Sequence, residues 1–218
     1  ITRFLAFFLD EKPKEVGPIR SIRTYFVDWA LEFNAPVAHV GGNIDALDLI
    51  GPLRMKDMNE FAYGSSFYRT RDRYAPHNMY STMDKLWALE KKLGYDGKSD
   101  FTPTPRVAKE TPAVTPDHPN IHINYSYNGY QVDYAYTAAT NDYARSLAGQ
   151  PHIDRNTGQQ IHVKNVVVQY MPTSYGTTRI GEQTVIMGTP GSGKAVIFRD
   201  GTAIEGTWSK PNHTTRTK

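Results

Sequence analysis

Residues 121–136, IHINYSYNGYQVDYAY, alternate apolar and polar side chains on both sides of Asn128-Gly129. Asn-Gly tolerates positive φ at both central turn positions, which makes it the strongest short hairpin signal. A two-residue turn there sets Tyr127 opposite Tyr130, Tyr125 opposite Val132, Ile123 opposite Tyr134 and Ile121 opposite Tyr136 on one face. Ser126 with Gln131, Asn124 with Asp133 and His122 with Ala135 share the other. One face is buried and one is wet. Downstream, 163–170, 184–187, 195–198 and 203–208 add strands, and Asp200-Gly201 marks another turn. Residues 120–218 therefore read as a mostly antiparallel, β-rich C-terminal domain.

Upstream of the hairpin, residues 96–119 carry Pro103, Pro105, Pro112, Pro116 and Pro119 and almost no large apolar side chain. Proline lacks the amide donor and drives its predecessor toward extended backbone, so neither helix nor central strand persists there. This stretch reads as a linker, with a long ordered loop as the alternative.

Residues 1–95 alternate strand and helix. The apolar run 2–9 suits a buried strand. A helix is expected from near Ile19, where Ile22, Phe26, Trp29, Ala30 and Phe33 recur at helical spacing until Asn34 and Pro36 stop it. Residues 37–40 read as a strand, Gly41-Gly42-Asn43 as a tight turn and 44–50 as a short helix. A further helix spans 82–93, with Ser81 and Asp84 resembling a capping box and Gly94 a C-terminal cap. The fold class is α+β: an N-terminal α/β-layered domain, the linker, and the β-rich domain.

Twenty-five Lys and Arg against 22 Asp and Glu leave a formal charge of +3, so affinity for a polyanion must come from a local patch. With no cysteine, disulfides, thiolate metal sites and cysteine nucleophiles are excluded. The opening apolar run is far shorter than the roughly 20 residues of a membrane span.

Residues 188–195 nearly spell a phosphate-binding loop, but Ala195 lacks the hydroxyl that holds magnesium. The AVIFRDG that follows reads as strand and turn rather than helix. Nucleotide binding is therefore not expected. The segment 68–78 holds Arg69, Arg71 and Arg73, which in an extended chain stand about 7 Å apart on one face as a ladder of guanidinium forks. His77 and Asn78 follow. Arg20 and Arg23 fall in the first turn of the helix expected from Ile19. Together these residues form a candidate anion-binding set, against the alternative that the arginines pair with Asp28, Asp72 and other carboxylates.

His39, His77 and the pair His152 and Asp154 are candidates for proton transfer or metal chemistry, because imidazole titrates near neutrality. No HExxH or G-x-S-x-G occurs. Among the 14 tyrosines, Tyr25, Tyr68, Tyr74 and Tyr80 are expected at the surface, and those of the hairpin in the core.

The ordered motifs ITRFLAFF, GPIRSIRTYFVDWA, HVGGN, SSFYRTRDRYAPHNMY, PHIDRNTGQQIHVKNVVVQY and GSGKAVIFRDGTAIEGTWSK resemble the YerB-like lipoproteins of Gram-positive bacteria along nearly the whole chain. The resemblance implies a two-part protein of unassigned activity, extracellular and held at the membrane by a lipid anchor. That anchor belongs to a leader outside this sequence, and further residues are expected beyond Lys218. It assigns no catalytic role to any residue here.

The expected function is binding of an anionic wall component, or of an envelope partner protein, through Arg20, Arg23, Arg69, Arg71, Arg73, His77 and Asn78. No nucleic acid, cofactor or metal is called for. The competing expectation is a hydrolase or transferase acting on a phosphodiester or glycan, with the arginines stabilising developing charge, His77 or His152 moving protons and Asp154 orienting or assisting.

Overall fold

The computed structural model describes residues 3–97, 102–125 and 127–218. The fold is α+β, and the chain forms two compact units that interleave in sequence.

The first unit takes Phe7–Thr102, Met171–Ser192 and Ser209–Lys218. Helix α1 (Thr24–Leu31) leads to strand β1 (Val37–His39), helix α2 (Ile44–Ile50) and strand β2 (Asp57–Asn59). β1 and β2 pair in parallel with Val37 opposite Asp57. The Asn43 carboxamide accepts the Ala46 amide and caps α2. Helix α3 (Glu60–Tyr63) precedes strands β3 (Tyr68–Arg69) and β4 (Met79–Tyr80), an antiparallel pair. Helix α4 (Met83–Lys92) lays Met83, Leu86 and Leu89 on a core shared with Ile19, Met58, Phe67 and Met79.

Several expectations are corrected in this unit. Residues 3–9 form no strand. Phe7 instead packs its ring on Phe33 at 4.3 Å between centroids. α1 begins at Thr24, not near Ile19, because residues 16–22 run extended: Ile19 donates to the Met79 carbonyl at 2.7 Å and Ile22 to that of Gly41 at 3.0 Å. The α4 cap is Thr82, whose hydroxyl accepts the Lys85 amide, one residue beyond the expected Ser81. Ser81 instead bonds the Ser66 carbonyl at 2.7 Å.

The second unit takes Ile1–Ala6, Pro103–Tyr170 and Gly193–Trp208. Strands β5 (Asn120–Ile123), β6 (Val132–Thr137), β7 (Asp142–Leu147) and β8 (Gln150–Pro151) pair in order, and β9 (His162–Val163) pairs with β7. Strand β10 (Asn165–Gln169) belongs to a three-stranded sheet that is completed further along the chain. Ile121, Tyr143 and Val166 centre the core.

The β5–β6 hairpin corrects the turn. Ile121 faces Tyr134 rather than Tyr136, and Ile123 faces Val132 rather than Tyr134, a slip of two residues. Asn128–Tyr130 form a 3-10 turn, and neither Asn128 nor Gly129 has the positive φ that a two-residue hairpin turn requires. The Tyr127 and Tyr130 rings meet at 5.1 Å and close the turn. Tyr125 and Tyr127 are exposed rather than buried. Because the slip is even, the same side chains still share a face.

The two-stranded arm of the first unit, β11 (Thr173–Thr177) with β12 (Gln183–Met187), follows in sequence. β13 (Gly191–Arg199) and β14 (Thr202–Lys210) then complete the sheet in the order β10, β13, β14. The glycine-rich segment 188–195 thus runs into a strand. The described part of 96–119 has no helix or strand. Its later half is tied to the second unit: Ala113 donates to the Asp200 carbonyl at 2.8 Å, and Glu110 accepts from Asn141 at 3.0 Å and Lys164 at 3.2 Å.

Candidate functional site: an arginine surface on the β3–β4 hairpin

The short β3–β4 pair carries a loop over residues 70–78, closed by the Thr70 amide on the Asn78 carbonyl at 2.9 Å and the His77 amide on that of Tyr74 at 2.9 Å. The loop bends at 71–73, so the expected extended ladder of Arg69, Arg71 and Arg73 does not form. The guanidinium groups are placed individually. Arg69 Nη1 donates to Asn78 Oδ1 at 2.8 Å, and the buried Asn78 donates in turn to the Thr70 carbonyl at 3.2 Å. Arg73 Nη1 donates to the Tyr80 hydroxyl at 3.2 Å. Tyr80 is buried, against the expectation of exposure, whereas Tyr74 is almost fully exposed.

The extended strip 16–22 runs beside β4 and brings in Arg20. Its Nη1 lies 2.6 Å from His77 Nδ1. A guanidinium has only donors, so the imidazole accepts at Nδ1. Burial, and then the charge of Arg23, lower the Arg20 pKa from its ordinary value. Arg23 itself precedes α1 as its N-cap residue and donates to the Ile22 carbonyl at 2.9 Å. Arg20, Arg69 and Arg73 are therefore each held by a residue of the β4 side of the hairpin, His77, Asn78 or Tyr80. Arg71 is exposed on the loop.

Arginine–carboxylate ion pairs form elsewhere. Arg179 pairs with Asp48 at 2.6 Å and Arg199 with Asp200 at 3.4 Å. Among the described residues, Arg20, Arg23, Arg69, Arg71 and Arg73 make no such pair. Asp28, a sequence candidate for their partner, is buried on α1 and accepts from His213 Nδ1 at 2.5 Å and from the Thr189 hydroxyl at 2.8 Å.

The other candidate histidines lie on or beside other elements. His39 is buried, with Nδ1 2.7 Å from the Gly41 carbonyl and Nε2 2.7 Å from Asp57 Oδ1, and it ties β1 to β2. His152 and Asp154 belong to the second unit and His77 to the first. His152 Nδ1 bonds Arg145 Nη1. Asp154 Oδ1 accepts the Thr157 amide at 2.9 Å and hydroxyl at 3.0 Å, closing its own loop. Arg145 escaped the sequence reading, although strand alternation puts it on the same face of β7 as buried Tyr143. The Asp28–His213 pair escaped it too, because its members lie 185 positions apart.

Among the described residues no group of three His, Cys, Asp or Glu is arranged to hold a metal ion. A shallow depression of 340 Å³ lies between Tyr63, Ser66, Leu89 and Lys92, and no candidate residue lines it. Among the described residues no helix is long and apolar enough to cross a membrane.

The α+β fold agrees with what comparison with known proteins finds. Residues 1–96 match the N-terminal domain and 121–218 the C-terminal domain of the protein of unknown function family DUF3048, and the chain belongs to that family. It is 28% identical over 215 residues to the "Putative lipoprotein YerB" of Bacillus subtilis (strain 168), across 97% of this chain. The chain spans 64% of that relative's length. The crystal structure of the Bacillus subtilis YerB protein superposes with a TM-score of 0.83, covering 99% of this chain and 71% of that one.

Proposed function

We propose that this chain is the extracellular part of a Gram-positive envelope lipoprotein, and that its hairpin surface binds an anionic wall component. One observation carries the reading: Arg20, Arg69 and Arg73 are held by neutral acceptors, His77, Asn78 and Tyr80, rather than by carboxylates. Neutral acceptors orient a guanidinium without cancelling its charge, so the remaining N–H donors stay available to a carboxylate or phosphate. The lipoprotein relative supports an envelope location.

The test is binding of an isolated anionic wall polymer across a salt series, with Arg69→Ala and Arg73→Ala beside the parent chain. Affinity is expected to fall steeply with salt and in both variants. Salt-insensitive binding, or unchanged affinity in both, overturns the proposal.

A further inference from the structure

Arg145 lies in β7 with 5% of its surface exposed. Its backbone is fixed on both sides: the amide donates to the Ile161 carbonyl at 2.8 Å, and the carbonyl accepts from His152 N at 3.0 Å and Gln160 Nε2 at 2.9 Å. The guanidinium carries five N–H donors and no acceptor. Yet its Nε is buried without a hydrogen-bond partner, and among the described residues it pairs with no carboxylate.

Aromatic and neutral groups stand where a counterion is expected. Tyr134, opposite Arg145 on β6, has its ring centroid 5.9 Å from the guanidinium carbon, and Phe4 has its own at 4.8 Å. Phe4 also contacts the His152 ring at 5.5 Å. Burial, followed by the Arg145 charge, pushes the His152 pKa down, so this imidazole adds no charge at neutral pH. Tyr125 is close enough for the Arg145 charge to act on its phenol, which burial pushes up. Taking a guanidinium out of water costs more than two aromatic faces return, and an anion restores the balance.

We infer that Arg145, with Phe4, Tyr125, Tyr134 and His152 around it, forms a recognition site for the carboxylate of an acidic sugar. The planar fork matches a carboxylate through parallel N–H donors. Phe4 and Tyr125 remain 62% and 48% exposed, leaving apolar ring surface for the C–H face of a sugar. Phe4 sits on a strip without regular structure, and it is the element that yields as the carboxylate enters. This site belongs to the second unit and does not depend on the hairpin arginines of the first.

The experiment follows the His152 ring resonances by NMR while the chain is titrated with glucuronate, glucose, acetate or inorganic phosphate. Glucuronate is expected to give a saturable shift and glucose none. Arg145→Gln is expected to abolish the response, Tyr125→Ala to weaken it about tenfold, and Arg69→Ala to leave it unchanged. No response to glucuronate overturns the inference. An equal response to acetate or phosphate at the same concentration marks an adventitious ion only and overturns it as well. Where Arg145→Gln does not fold, the exposed rim decides: unchanged glucuronate affinity in both Phe4→Ala and Tyr125→Ala overturns the inference.

Discussion

The Lys210 ammonium lies 3.1 Å from the Glu32 carboxylate, with its own side chain wholly out of solvent. It also donates to the carbonyls of His213 at 3.1 Å and Thr215 at 2.8 Å, so each ammonium hydrogen has an acceptor. Glu32 in turn accepts from the Thr217 hydroxyl at 2.6 Å and amide at 3.1 Å. Asp28, one helical turn before Glu32, takes His213. Two buried carboxylates of α1 and its C-cap thus fasten the segment 209–218.

Removing one partner of a buried, hydrogen-bonded pair leaves the other charge uncompensated. Lys210→Ala is therefore expected to destabilise the protein by about 3–5 kcal/mol. Lys210→Met with Glu32→Leu recovers most of that loss, because no lone charge remains. Urea unfolding of the three proteins measures both; a Lys210→Ala midpoint equal to the parent's contradicts the argument.

Gly193 stands in the segment that resembles a phosphate-binding loop, but its role is close packing. A Cβ there would meet the Tyr170 carbonyl oxygen at 2.5 Å and Trp208 Nε1 at 2.8 Å. These two atoms are bonded to each other, the buried Trp208 indole donating to Tyr170 at 3.0 Å. Gly193→Ala is expected to cost about 1–3 kcal/mol through overpacking. Thermal unfolding would register the loss, whereas Gly181→Ala, where the space is open but φ is +83°, reports the cost of backbone strain alone.

Helices α2 and α4 and the strand faces are legible in the sequence, but partners are not. α2 was expected at 44–50 and spans Ile44–Ile50, because Asn43 caps it and the apolar spacing has one reading. Ile121 and Ile123 share a face with Val132 and Tyr134 as read, since alternation survives an even slip, but the turn itself answers to the Tyr127–Tyr130 contact. The apolar run at the start reads as a strand by composition, yet Phe4 spends its ring on Arg145 and His152. In the arginine set the residues are visible in the sequence, although the bend at 71–73 prevents the ladder that their spacing suggests. Their acceptors are not, because Arg20 meets His77 across 57 positions.

His152 gives the protein an acid-sensitive element. Burial first, and the Arg145 charge second, lower its folded-state pKa below the ordinary 6.5, with Asp154 opposing. In the pH interval below that value the unfolded chain takes up a proton that the folded chain refuses, so stability rises with pH there and is lost on acidification. His152→Gln is expected to flatten the dependence between pH 7.5 and about 5. Urea midpoints at the two pH values, for parent and variant, make the comparison. A parent midpoint that rises on acidification reverses the sign and discards the argument.

Asn78 separates orientation from charge on the hairpin surface. Its carboxamide receives Arg69 and donates to Thr70, and no charge leaves the protein when it is removed. Asn78→Ala is expected to cost about 1–3 kcal/mol of stability, because the Thr70 carbonyl loses a buried donor. Binding of an anionic polymer should weaken as Arg69 loses its fixed direction, while the dependence of log K on log salt keeps its slope. Arg69→Ala instead lowers that slope by roughly one contact, since one cation no longer displaces counterions. Equal slopes for Arg69→Ala and the parent would show that Arg69 does not touch the polymer, and the anion surface would then have to be drawn around Arg20 and Arg73 alone.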